Sequence, residues 1–169
     1  MEKELYLAGG CFWGMEHYLR QIRGVTNTEV GYANGHTPHP TYEEVCTDET
    51  GHAETVHVSY DPAVLPLRKL AALYFEAIDP TSLNQQGGDR GTQYRTGIYY
   101  SDPADEPALR SLFEDTQKAL GSAPLRVELL PLSSFHRAEG YHQGYLLKNP
   151  HGYCHLPAAL FEHAKEANQ

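Results

Sequence analysis

The sequence predicts an α+β fold, a two-layer sandwich of one sheet under packed helices, and three observations carry that expectation. Apolar residues alternate with period two in several short runs and recur with the helical period in others. These runs follow one another as strand, helix, strand, strand, helix, strand, the order of the split βαβ unit in ferredoxin-like cores. At 169 residues the chain fits one domain, 1–169, long enough to bury a core without disulfide or metal support.

Leu5-Tyr6-Leu7-Ala8 reads as the first strand and Gly9-Gly10 as a turn. A helix over 11–23 follows, with Phe12, Met15, Leu19 and Ile22 on one stripe and Gly24 as its end. Residues 25–32 form a second strand, and the stretch from there to Gly51, with Asn34-Gly35, Pro38 and Pro40, reads as a long loop of the kind that is functional or disordered. Over 54–60, Glu54, Val56, Val58 and Tyr60 share one face and Thr55, His57 and Ser59 the other, which describes a half-buried strand. Asp61-Pro62 stops it, and the spacing of Leu67, Leu70, Ala71, Tyr74 and Ile78 predicts a helix over 66–78.

A polar, glycine-rich loop over 79–93 leads to a strand over 94–100. Asp102-Pro103 caps and opens a helix carrying Leu109, Leu112, Phe113 and Leu120, closed by Gly121. Leu125, Val127 and Leu129 alternate as another strand, and a short helix over 138–147 precedes the turn Asn149-Pro150-His151-Gly152. Around the split core the chain therefore adds further helices and a long coil-rich C-terminal segment.

Lys and Arg total 13 against 22 Asp and Glu, a formal charge of −9 with no basic cluster, which excludes a nucleic-acid partner. The N-terminus lacks a basic stretch leading into an apolar one, and no later apolar run reaches membrane-spanning length. The expectation is a cytoplasmic monomer with no membrane partner. Three cysteines, at 11, 46 and 154, are an odd number at wide spacing and fit thiol chemistry better than a disulfide framework. Ten histidines include the pairs His36/His39 and His151/Cys154 at ligand spacing, yet there is no CxxC, no HExxH and no second matched pair, so no metal is expected.

Cys11 follows a Gly-Gly turn at a helix N-terminus, where unpaired backbone N–H groups and the positive end of the dipole favour a thiolate and the glycines leave the sulfur accessible. The same position also suits a buried, inert thiol, the usual state of a free cysteine. Phe12 lies on the apolar stripe, whereas Trp13 falls off it, either as an aromatic wall suited to a methyl or thioether or as surface cover. Glu54 shares the apolar strand face, where burial would raise its pKa and leave it able to donate a proton. A strand starting one residue later would leave it solvated, the outcome that periodicity alone favours. Spacing assigns no role to Tyr42, Asp89 or Tyr94. Cys154 sits in a turn-rich segment suited to disulfide exchange, provided its Cα comes within about 7 Å of that of Cys11. Cys46, beside Glu43 and Glu44, reads as a bystander.

Taken together, Gly10-Cys11-Phe12-Trp13-Gly14, Thr41-Tyr42-Glu43-Glu44-Val45-Cys46, Gly51-His52-Ala53-Glu54, Gly88-Asp89-Arg90-Gly91-Thr92-Gln93-Tyr94-Arg95, Tyr141-His142-Gln143 and Asn149-Pro150-His151-Gly152-Tyr153-Cys154 resemble the blocks of the methionine sulfoxide reductase A family, in the family order. The likeness runs over residues 5–154. It implies thiol-dependent reduction of methionine (S)-sulfoxide, in oxidised proteins or peptides and as the free amino acid. By the same resemblance Cys11 is the nucleophile, Phe12 and Trp13 hold the sulfoxide methyl, and Tyr42, Glu54 and Tyr94 surround the oxygen. Asp89 shapes the site through hydrogen bonds, and Cys154 resolves the sulfenic acid as a disulfide.

No resident cofactor is implied; the reductant is external, thioredoxin or dithiothreitol. Residues 155–169 hold no further cysteine, which favours direct reduction of a Cys11–Cys154 disulfide by thioredoxin. Read without the resemblance, the same cysteines also fit a thiol peroxidase or redox sensor, and the histidines a non-catalytic zinc or peptide-binding module.

Overall fold

The computed structural model describes residues 2–169. Its first half runs β1 (Lys3–Gly9), α1 (Phe12–Arg20), β2 (Val25–Ala33), α2 (Tyr42–Cys46), β3 (Ala53–Tyr60) and α3 (Leu67–Ala77). The second runs β4 (Gln85–Gln86), β5 (Asp89–Arg90), β6 (Thr96–Tyr100), α4 (Glu106–Leu120), β7 (Glu128–Pro131), β8 (Phe135–Arg137), α5 (Tyr145–Lys148) and α6 (Ala158–Glu166).

The sheet order is β7-β6-β1-β3-β2-β8. Its four inner strands, β6-β1-β3-β2, are antiparallel neighbours with β3 between β1 and β2, the split βαβ arrangement that the element order predicted. β7 extends one edge in parallel to β6, and β8 extends the other in antiparallel to β2. Leu5, Leu7, Val56, Val58 and Ile98 face α1 and α3, whose Phe12, Met15, Leu19, Leu70 and Tyr74 complete the main core. The opposite sheet face carries a smaller cluster, Tyr6, Ala8, Ala33, Ala53 and Tyr99, with Leu132 and Phe135 laid over it.

Leu7 is fully buried where β1 pairs with both β3 and β6. Leu7→Ala is expected to lower the unfolding free energy by about 2–5 kcal/mol, because the sheet under two helices cannot collapse into the space left. Denaturant unfolding checks this, and a loss under about 1 kcal/mol would contradict that rigidity.

Gly9 ends β1 where the helices close in: a Cβ there would stand 2.4 Å from Met15 Cε and 3.0 Å from Ile78 Cγ2. Gly10, at φ +85°, then turns the chain into α1 in a conformation that L side chains rarely adopt. Helix α1 is shorter than 11–23, with Cys11 as its extended N-cap (φ −60°, ψ 125°) and Gly24, at φ +106°, closing the turn beyond it.

Other departures have local causes. The long loop contains α2, started by a capping box in which Thr41 Oγ1 accepts from the Glu44 N–H and the Glu44 carboxylate from the Thr41 N–H. The glycine-rich loop contains the β4–β5 hairpin and a 3-10 turn over Thr92–Tyr94, so Tyr94 precedes the strand. Strand β7 starts at Glu128 because Leu125 N–H donates to Gln117 Oε1 and Arg126 N–H to the Pro80 carbonyl, which holds that backbone off the sheet.

The single helix expected over 138–147 is replaced by β8, a 3-10 turn over Gly140–His142 and the short α5. Gly144 at φ +60° breaks helical continuity, and the Gln143 amide caps both the N–H and the carbonyl of Val30, each at 2.9 Å. Within the stretch expected to be coil, α6 docks on α1, with Phe161 edge-on to His17 at 4.6 Å. No described helix is long and apolar enough to cross a membrane.

Candidate active site

Cys11 stands where β1 turns into α1, and α1 packs over β3, which brings the start of the helix against the start of that strand. The sulfur lies in the core margin, 7% exposed. Backbone N–H groups of Trp13 and Gly14 point to it and lower its pKa, as a helix N-terminus should. Burial outweighs them: desolvation first, and the Glu54 carboxyl second, push the thiol well above its ordinary value. The expectation of an accessible sulfur poised as thiolate is thereby corrected; Cys11 rests as a buried neutral thiol.

Glu54 is 1% exposed, on the face it shares with Val56 and Val58, so the solvated alternative does not hold. The reason is register: β3 begins at Ala53, and Glu54 pairs with Tyr32 inside the sheet. Its Oε1 accepts from the Phe12 N–H at 3.2 Å, the first free donor of α1. Its Oε2 is buried and has no hydrogen-bond partner among the described residues. Burial pushes the carboxyl from an ordinary 4.5 up to about 8; the Phe12 N–H opposes that shift and Asp89 adds to it. At neutral pH this is a carboxylic acid with a proton to give.

Tyr42, at the start of α2, and Tyr94, at the end of the 3-10 turn, are half-buried, and burial followed by the Glu54 charge holds both phenols protonated. Cys11 and Asp89 also act on Tyr94, so these five residues from separate elements share one site. The exposed thiol of Cys46 lies near the Tyr42 hydroxyl and adds to the rise of its pKa.

Phe12 belongs to the core, 1% exposed, against the rings of Tyr32 and His142. Trp13 is half-buried and fixed: its ring stacks on Tyr145 at 3.8 Å and 9°, and its Nε1 donates to His142 Nδ1 at 2.9 Å. Asp89 accepts from the Tyr153 hydroxyl at 2.8 Å, tying the β4–β5 hairpin to the residue before Cys154. Cys154 is a free, half-buried thiol lying on the first turn of α1; a Cβ on Gly14 would stand 3.0 Å from its Sγ.

Several supporting residues received no role from spacing or from the resemblance. His142 is buried, with the rings of Phe12, Trp13, Tyr42 and Tyr141 around it. Glu139 accepts from the Tyr32 hydroxyl at 2.7 Å and the Tyr42 N–H at 2.9 Å. Glu16, 2% exposed on α1, accepts from Thr28 Oγ1 and from the Gly144 N–H at 2.8 Å, pinning the segment that carries His142 and Tyr145. Each bond joins residues too far apart in the chain for spacing to reveal it. Among the described residues no three His, Cys, Asp or Glu side chains converge as metal ligands.

Comparison with known proteins agrees with this geometry. The family model described as peptide methionine sulfoxide reductase matches residues 3–169. A peptide methionine sulfoxide reductase MsrA of Lachnoclostridium phytofermentans is 55% identical over 167 residues, 99% of this chain and 100% of the relative. The crystal structure of reduced Mxr1 from Saccharomyces cerevisiae superposes with a TM-score of 0.85 at 41% identity, covering 90% of this chain and 88% of that one. Mxr1 in complex with Trx2 matches at a TM-score of 0.61 and 29% identity, covering 85% and 84%.

Proposed function

The chain belongs to the peptide methionine sulfoxide reductase family and reduces methionine sulfoxide with a thiol, and from that premise we propose that Cys11 takes the oxygen while Glu54 protonates it. The observation that carries this reading is Glu54 Oε2: buried, unpartnered, and part of a carboxyl whose pKa of about 8 keeps it neutral beside Cys11. A sulfoxide oxygen is a strong acceptor and a poor leaving group, so attack on sulfur needs a proton supplied as the oxygen is released. The phenols of Tyr42 and Tyr94 are further donors to that oxygen.

The step balances without net charge. Sulfur of Cys11 bonds to the sulfoxide sulfur, Glu54 gives its proton to the oxygen, and the thiol proton returns to Glu54. The oxygen then passes to Cys11, leaving a sulfenic acid as methionine departs; Cys11 is oxidised by two electrons and the substrate sulfur reduced by two. A neutral thiol with a neutral acid suits a buried site better than a charged pair, since an unpaired buried charge is costly. Trp13, locked between Tyr145 and His142, with Phe12 behind it, provides an apolar wall for the sulfoxide methyl. Asp89 acts through Tyr153, steadying the approach of Cys154.

Cys154 condenses with the sulfenic acid to a disulfide and water. The yeast complex supports thioredoxin as the reductant here, with dithiothreitol as its substitute in vitro. We read residues 1–169 as one reductase domain acting as a monomer in the cytoplasm, whose reducing conditions suit a thiol-dependent enzyme. Its substrate is the S epimer, in oxidised peptides and free.

Cys154→Ser is expected to release one equivalent of methionine per enzyme with thioredoxin and then stop. Undiminished thioredoxin-driven turnover would remove the resolving role, and consumption of the R epimer would overturn the stereochemical reading. A thiol peroxidase would leave both epimers intact.

A further inference from the structure

We propose that His155 is the general base of the resolving step, its Nδ1 taking the thiol proton of Cys154 as that sulfur attacks the Cys11 sulfenic acid. The inference rests on the reading of Cys154 as the resolving cysteine. The His155 ring covers the glycines around the nucleophile: a Cβ on Gly10 would stand 2.9 Å from its Nε2, and one on Gly14 would stand 3.1 Å from its Nδ1. Nε2 lies 3.1 Å from the Gly9 carbonyl oxygen, which can only accept, so the ring proton sits on Nε2 and Nδ1 carries a lone pair. That Nδ1 is buried and has no hydrogen-bond partner among the described residues.

Cys154 Sγ and His155 Nδ1 stand 3.0 Å and 3.1 Å from the same point, the position a Gly14 Cβ would occupy. The two atoms are therefore no farther apart than those lengths end to end, over the helix turn whose Gly14 N–H also points to the Cys11 sulfur, and the Cys154 thiol, which rests on the Leu156 carbonyl at 3.5 Å, turns from it to Nδ1 in the resolving step. Burial pushes the Cys154 thiol up, so it needs a base to react at neutral pH. Burial holds the His155 imidazole below its ordinary value, with Asp89 and the Gly9 carbonyl opposing, so the ring is neutral and its lone pair free.

In the step, the S–H bond of Cys154 breaks, its proton passes to Nδ1, and its electron pair bonds to the Cys11 sulfur. The S–O bond of Cys11 breaks, and hydroxide leaves with the proton from His155 as water. Cys154 is oxidised and Cys11 reduced to the common disulfide level, and no outside oxidant is needed.

A ring that merely filled the space over two glycines would make the same contacts, so the test must separate basicity from shape. Reduced enzyme is mixed with methionine sulfoxide without reductant; methionine formed in the first turnover counts folded, reactive enzyme, and alkylation of residual thiols follows disulfide formation. His155→Ala is expected to slow disulfide formation per reactive enzyme by about 10²-fold. Added imidazole restores the rate, and 1,2,4-triazole, of similar shape and far weaker basicity, does not. His155→Gln refills the space and keeps a donor for the Gly9 carbonyl, yet stays slow. A wild-type rate in His155→Gln, rescue by both azoles, or rescue by neither overturns the proposal. Cys154→Ser in the same assay separates the premise: a disulfide formed without Cys154 defeats the resolving role itself, whereas none formed, with His155→Gln normal, defeats only the base.

Discussion

Cys11→Ser abolishes methionine formation, a fall of at least about 10⁴-fold with either thioredoxin or dithiothreitol. An alkoxide is far harder to form than a thiolate, and oxygen cannot take up the sulfoxide oxygen and hand it on as sulfenic acid does. The fold is not at risk. Cys11 occupies the N-cap of α1 without a side-chain cap bond, and serine is among the preferred residues there, so thermal stability is held or raised. Methionine counted by chromatography beside a melting curve checks both parts. Appreciable turnover in a folded Cys11→Ser protein would remove Cys11 as the nucleophile.

Glu54→Ala lowers the rate of the first turnover by about 10²- to 10⁴-fold, whereas Glu54→Gln keeps appreciable activity because an amide still donates a hydrogen bond to the sulfoxide oxygen. The wild-type first turnover declines as pH rises through about 8, where Glu54 loses its proton, and that decline is missing in Glu54→Gln. Stability carries the same signature. The folded carboxyl holds its proton up to about 8 while the unfolded one loses it near 4.5, so the native state binds the extra proton between those values. Its contribution is complete below 4.5 and is lost as pH rises toward 8. Glu54→Gln, which does not titrate, removes that slope. Unfolding curves at pH 5 and pH 8 check it; an equal slope in both proteins would show that Glu54 is not the buried acid.

Much of the architecture was legible because it is written in local repeats. The period-two run over 54–60 and the helical stripes of 11–23 and 66–78 survive as β3, α1 and α3, and their order alone yields the split core. The Thr41-x-x-Glu44 capping signal was present too, hidden in a proline-flanked stretch that reads as loop. Failures cluster where long-range bonds override local preference. Gln117 and Pro80 hold 125–126 off the sheet, and Gln143 caps Val30 where a helix was expected.

By itself the sequence determined the layered core, the station of Cys11 between strand and helix, and, through its motif blocks, the roles expected of Glu54, Tyr42, Tyr94 and Cys154. The core and the station of Cys11 follow from side-chain periods, which the backbone imposes over a few residues at a time, whereas the roles come from the family resemblance alone. Only the tertiary structure decided that Glu54 is buried with a free oxygen, that Cys11 rests as a thiol, that Trp13 is clamped by Tyr145 and His142, and that the side chains of Cys154 and His155 both stand over Gly14. Protonation depends on desolvation and on neighbours from distant elements. The Phe12 N–H reaches Glu54 across 42 positions, and His155 reaches Gly9 across 146, separations at which no pattern along the chain records a contact.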